Sequence, residues 1–284
     1  MQAAAQPELR GRRQLLIDFL GYGYSDRPVG FGYTLEDHAR TIAAVIDDLA
    51  LPECAVVGHS MGGGVGILVA SARPHIVSLL IMAEGRLGPD PDGPDPIAAQ
   101  SEQDFVERGF ADLLDGQTRD AEALPDGLRA AHLGITRLVA PYALHRAEVA
   151  RGRDTDPPLR SLVRALQMPR WYLDGAESEP SGPRDDLEAA GVAFRVVPDT
   201  GHMMALQNPR GLAQTIAEIL AALRARRRNR DFLARATPAI RPGVRQTPRG
   251  KSRDDSAMAS SQRKLRVDVE VREVVRGDRH RGQW

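Results

Sequence analysis

The sequence predicts an α/β fold: a mostly parallel sheet with helices on both faces, a helical insertion, and a basic C-terminal tail. Three observations carry that expectation. Short runs such as Ala55–Val57 and Ile76–Ala83 are apolar at every position but Ser78, as strands buried on both faces are. Helical patterns alternate with them, which places the strands parallel. Between Gly88 and about Met168 the strand pattern disappears, and an Asp- and Pro-rich start gives way to helical character.

Gln14–Phe19 (QLLIDF) is the first strand candidate, ended by a turn around Gly21 and Gly23. A helix is expected from Thr34, where Thr34 and Asp37 have capping-box spacing and Leu35, Ala39, Ile42, Val45, Ile46 and Leu49 share one face. Ala55–Val57 forms the next strand, Met61–Ala72 a nearly all-apolar helix stopped at Pro74, and Ile76–Ala83 a further strand. Arg170–Leu173 and Ala193–Val197 read as two more, with a helix around Arg184–Ala190 between them. A last helix from about Pro209 aligns Leu212, Ile216, Ile219, Leu220 and Leu223. The expected division is 1–87 and 169–223 for the core, 88–168 for a helical cap and 224–284 for the tail.

A chain of 284 residues with 42% apolar content buries a sizeable core. Its single cysteine, Cys54, excludes a disulfide framework and fits a reducing, cytoplasmic compartment. The N-terminus has no apolar signal-type region, and no run of about 18 apolar residues suggests a membrane span. The net charge of zero conceals an asymmetry, because residues 224–284 hold 16 Arg and 2 Lys against 7 acids. The run Arg224–Arg230 suits nonspecific binding to phosphate backbones, but without interleaved aromatics it does not suggest a nucleic-acid partner. Lysine occurs only at Lys251 and Lys264, so the arginine excess fits coding bias equally well. Leu265–Val271 alternates like a strand.

Ligands of an open parallel sheet bind beyond the carboxyl ends of its strands. Ser60, Glu84, Asp174, Glu177 and His202 all fall at such ends. Gly58-His-Ser-Met-Gly62 has the form G-x-S-x-G, in which a sharp strand-to-helix turn pushes the serine hydroxyl outward. Crowding between the positions two before and two after the serine favours glycine at both. The turn also leaves the Met61 N–H at a helix start, ready to hold an oxyanion. Serine needs a base, and His202 follows the last strand in the order serine, acid, histidine. The other histidines lack metal-ligand spacing. Gly21-Tyr-Gly23 lacks the third glycine of a dinucleotide fingerprint, and Gly62–Gly64 lacks the lysine of a phosphate loop, so no cofactor is expected.

Asp18-Phe-Leu-Gly-Tyr-Gly-Tyr-Ser-Asp-Arg-Pro28, the elbow at 58–62, and Gly201-His202 with Asn208-Pro209 together resemble the α/β-hydrolase superfamily in its cap-bearing branch, over residues 14–223. The resemblance implies a serine hydrolase acting on a small carbonyl substrate: an ester, a thioester or a C–C bond beside a carbonyl. Relatives with haloalkane dehalogenase activity carry aspartate where Ser60 stands. The family's usual acid position falls on Ser178, which cannot serve; Glu84 is the first candidate and Glu177 the second, with Glu179 and Asp174 as further options. Phe105, Phe110 and Tyr142 are candidate pocket residues. No His-Gly pair precedes Ser60 to supply a second oxyanion donor, and only 13 residues precede the first strand candidate. The chain therefore reads as N-terminally truncated relative to the family, and this form is expected to be poorly active or unstable. A catalytically weak ligand-binding protein is the alternative.

Overall fold

The computed structural model describes residues 2–89, 95–124, 126–179 and 184–236. Four parallel strands, β1 (Cys54–His59), β2 (Val77–Ala83), β3 (Arg170–Gly175) and β4 (Val192–Val197), form one sheet in the order β1-β2-β3-β4. Each successive strand adds to the same side, so all four carboxyl ends lie along one edge. That edge carries the candidate residues Ser60, Glu84 and His202.

Helix α1 (Leu35–Asp48) begins as its sequence dictates. The Thr34 hydroxyl accepts from the Asp37 N–H, and the Asp37 carboxylate accepts from the Thr34 N–H. Helix α2 (Met61–Ala72) is apolar on all sides because it is enclosed, with Val65, Ile67, Val69 and Ala70 buried. Alternation along β2 divides the core into two layers. Leu80 and Met82 pack with Val65, Ile67 and Tyr172 on the α1–α2 face. Leu79, Ile81 and Ala83 pack on the other with Leu212, Ala213, Ile216 and Ile219 of α10 (Pro209–Ala236). Each such fully buried aliphatic side chain contributes about 1.5–3 kcal/mol.

Between β2 and β3 the chain is helical: α3 (Glu102–Asp104), a π-helical turn at Phe105–Gly109, α4 (Phe110–Asp120), α5 (Asp126–Arg137), α6 (Pro141–Arg151) and α7 (Leu159–Ala165). Arg146 of α6 ties this insertion down by donating to Glu102 and to the carbonyls of Val29 and Phe31. α8 (Asp185–Ala189) links β3 to β4, and α9 (Met204–Gln207) precedes α10.

Two expectations are corrected. Gln14–Phe19 is not a strand: residues 13–19 have no regular structure and Leu16 is exposed. Among the described residues no neighbouring strand shares its backbone hydrogen bonds, and an apolar run alone does not make a ladder. β1 is consequently an edge strand, and Ala55 and Val57 on its α10-facing side are exposed, Val57 at 46%. The boundary at Arg224 is also not structural, since α10 runs on to Ala236. Alanine and arginine are strong helix formers, and neither glycine nor proline intervenes before Pro238. The strand-like run Leu265–Val271 lies outside the described residues. No helix among the described residues is long and apolar enough to cross a membrane.

Candidate active site

Ser60 is the single residue between β1 and α2, and the reversal at that point forces its backbone to φ 52°. A non-glycine residue there costs about 1–3 kcal/mol and persists only where its surroundings fix it. Three backbone hydrogen bonds do so: the Ser60 N–H donates to Ala83 O (3.0 Å), and the Ser60 carbonyl accepts from Gly63 (2.9 Å) and Arg86 (3.0 Å). A Cβ on Gly58 would sit 2.1 Å from the Gly62 carbonyl oxygen, so glycine is required there. Gly62 differs from expectation, because a Cβ on it would meet nothing within 4 Å. The second crowded position is Gly63, where a Cβ would lie 2.4 Å from Gly85 Cα. That close approach brings the elbow against the loop after β2. Met61 opens α2, so its N–H belongs to the helix's first, unpaired donors.

Glu84 ends β2 in a second strained corner, with φ 42°. Its side chain is 7% exposed and fully engaged. Oε2 accepts from His202 Nδ1 at 2.6 Å, Oε1 accepts from the Gly175 N–H at 2.8 Å, and the Ser178 hydroxyl donates to the carboxylate as well. Burial pushes the carboxyl up, but the bonds from Ser178, Gly175 and His202 outweigh it and hold Glu84 below the usual carboxylate range. It is a carboxylate at neutral pH. Its bond orients the imidazole with the hydrogen on Nδ1, leaving Nε2 as the basic nitrogen.

His202 lies in the turn after β4. The Glu177 N–H donates to Thr200 O (2.8 Å), and Gly201 N–H donates to Gln207 Oε1 (2.9 Å), which fixes this loop beside the end of β3. A Cβ on Gly175 would lie 2.5 Å from Thr200 O, so glycine permits the approach. His59 adds a contact to the backbone of this loop: its Nε2–H donates to the His202 carbonyl at 2.6 Å, with ring centroids 4.8 Å apart. Burial first, and the neighbouring His202 after it, lower the His59 pKa despite the carbonyl bond, so this ring is neutral. Among the described residues Ser60 and His202 are not hydrogen-bonded to one another. Contacts between a nucleophile and its base are often long in structures without substrate.

The remaining candidates are dispersed. Asp174 is buried but pairs with Arg184 at 3.0 Å, and the Arg184 guanidinium lies over Phe194. The Glu177 side chain is exposed, without a hydrogen bond or ion pair among the described residues. Phe105 is fully buried inside the insertion, packed on Phe110 and His145, and lines a cavity of about 280 Å³ with Ile97, Gln100 and Leu113. The Tyr142 hydroxyl donates to Arg27 O at 2.6 Å and its ring packs on Tyr33. Phe105 and Phe110 pack within the insertion, and Tyr142 joins it to the segment around Arg27 and Tyr33. No group of three or more His, Cys, Asp or Glu converges to hold a metal among the described residues. Sequence reasoning missed His59 and the role of Ser178. His59 adjoins the serine within the motif itself, which was the available signal.

Residues 1–134 match the model of the alpha/beta hydrolase fold family. The chain is also 35% identical over 228 residues to the 2-hydroxymuconate semialdehyde hydrolase of Pseudomonas sp. strain CF600, covering 76% of this chain and 79% of that protein. The chain belongs to the α/β-hydrolase family. Within this family it is 43% identical over 75 residues to haloalkane dehalogenase 2 of Mycobacterium tuberculosis, a match spanning about a quarter (26%) of each chain. The fold resembles that of a putative aryl esterase from Burkholderia cenocepacia, with TM-score 0.64 and 18% identity over 79% of this chain and 85% of that one.

Proposed function

We propose that this α/β-hydrolase is a serine hydrolase that cleaves a small carbonyl substrate, an ester first, through Ser60, His202 and Glu84. The observation that carries this reading is the 2.6 Å bond from His202 Nδ1 to Glu84, formed at the sheet edge beside the strained Ser60 corner. In this reading His202 Nε2 takes the Ser60 proton as Oγ attacks the carbonyl carbon. Glu84 stabilises the imidazolium that results, and the Met61 N–H holds the oxyanion. Nε2 then returns the proton to the leaving group, and water releases the acyl-enzyme by the same steps. The helical segment of 88–168 covers the edge as a cap and selects the acyl group.

Two relatives frame the substrate class. A hydrolase of 2-hydroxymuconate semialdehyde aligns along most of the chain, which keeps a C–C bond beside a carbonyl within the class. The dehalogenase match extends over only 75 residues, and serine in place of aspartate at position 60 argues against that chemistry. The second reading is a ligand-binding protein of weak activity, in which Ser60 and His202 stay without a direct hydrogen bond. Hydrolysis of 4-nitrophenyl acetate separates the two: turnover in the native chain that disappears in Ser60→Ala supports the enzyme, and equal background rates in both support the binding protein.

A further inference from the structure

We propose that His59 is a positioning residue: its bond to the His202 carbonyl ties the loop that carries the base to the strand that carries the nucleophile. The effect on turnover rests on the serine-hydrolase reading; the effect on the position of His202 does not. His59 is the last residue of β1, and Ser60 follows it directly. Its Nε2 lies 2.6 Å from the His202 carbonyl oxygen. A carbonyl only accepts, so His59 is the tautomer with its hydrogen on Nε2.

His202 thus has two restraints from two strands. Glu84, after β2, holds its ring, and His59, ending β1, holds its backbone. The register places His59 beside Ala83, the residue before Glu84, so both restraints leave from neighbouring points on the sheet. They are complementary. A bond at Nδ1 alone fixes one ring atom of a half-exposed side chain and leaves the main chain free to drift about it. The remaining loop bonds come from Glu177 after β3, from Val197 of β4 and from Gln207 of α9, and none of them reaches the elbow at Ser60. His59 is the contact that links the loop to the elbow. Displacement of a catalytic group by about 1 Å costs on the order of 10²-fold in rate.

The spacing of the two rings also explains why a neutral donor suits this position. At 4.8 Å between centroids, a charged His59 would repel the imidazolium that His202 becomes on taking the serine proton.

The test uses the full chain with ¹⁵N-labelled histidine, as native protein, His59→Gln and His59→Leu. In the native protein, long-range ¹H–¹⁵N spectra are expected to show His59 as the Nε2–H tautomer; the Nδ1–H tautomer overturns the proposal whether or not any variant folds. The low-field His202 Nδ1–H signal is expected in the native protein and in His59→Gln, whose amide still donates, and is expected to broaden in His59→Leu. Turnover of 4-nitrophenyl acetate should fall about 10–10²-fold in kcat in His59→Leu with KM little changed, and recover in His59→Gln. An unchanged His202 signal and unchanged kcat in His59→Leu refute the positioning role. Broadening of that signal, in a chain whose native form neither turns over ester nor reacts at Ser60, sustains the positioning role and refutes the hydrolase.

Discussion

Glu84 and Asp174 occupy the ends of adjacent strands and are almost equally buried, at 7% and 4% side-chain exposure, yet they have different partners. Asp174 pairs with the guanidinium of Arg184, a planar cation. Glu84 pairs with the imidazole of His202, a type of group that can take up and release a proton. One is a fixed ion pair holding α8 to the sheet; the other is a bond that strengthens when its partner becomes protonated. Only the second fits the proton transfer proposed for this site. The backbone agrees, since Glu84 is strained at φ 42° and Asp174 lies within a regular strand.

Replacing parts of each pair tests this contrast. The largest effect is expected in Ser60→Ala, which should abolish both ester turnover and reaction with a fluorophosphonate probe. Glu84→Gln should lower kcat by about 10³–10⁴-fold, as loss of the orienting carboxylate does in a serine–histidine–acid system. Asp174→Asn should leave kcat within a few-fold and lower stability by roughly 1–3 kcal/mol in urea unfolding, a discounted figure because Arg184 is about one-third exposed. Glu177→Gln should change neither rate nor stability, its side chain being exposed.

A third buried titratable group sets the acid limit of the assay. His38 is fully buried among Phe19, Tyr22, Phe31 and Tyr33, and both its ring nitrogens lack hydrogen-bond partners among the described residues. Burial lowers its pKa from 6.5 to about 4. Because the folded state refuses a proton that the unfolded chain accepts, full stability is present above about pH 6.5 and falls as pH drops toward 4. The loss reaches roughly 3 kcal/mol. His38→Leu should flatten that dependence in urea titrations at pH 7 and pH 4.5.

Much of this arrangement was legible in the sequence, for identifiable reasons. Short apolar runs alternating with helical patterns mark β1 to β4 and the helices between them, although the α10-facing side of β1 stays exposed. Glu84 stood out because a carboxylate directly after the apolar run Leu79–Ala83 requires a partner. What remained hidden depends on contacts distant in sequence. Gln14–Phe19 has strand composition, but a ladder requires a neighbour that no local pattern can report. Ser178 was unsuited to be the acid, and only the fold brings its hydroxyl to Glu84 from 94 positions away along the chain. Gly62 satisfied the motif without being crowded, whereas Gly63 is crowded by Gly85 across the sheet edge.

The most direct measurement is the rate at which a fluorophosphonate probe forms its adduct, mapped by peptide mass, in the native chain, Glu84→Gln and Asp174→Asn. It reads the reactivity of the nucleophile without a choice of substrate. The account predicts a single adduct on Ser60, formed at least about 10²-fold more slowly in Glu84→Gln and at nearly the native rate in Asp174→Asn. Equal rates in Glu84→Gln and the native chain, or an adduct on any other residue, would contradict it.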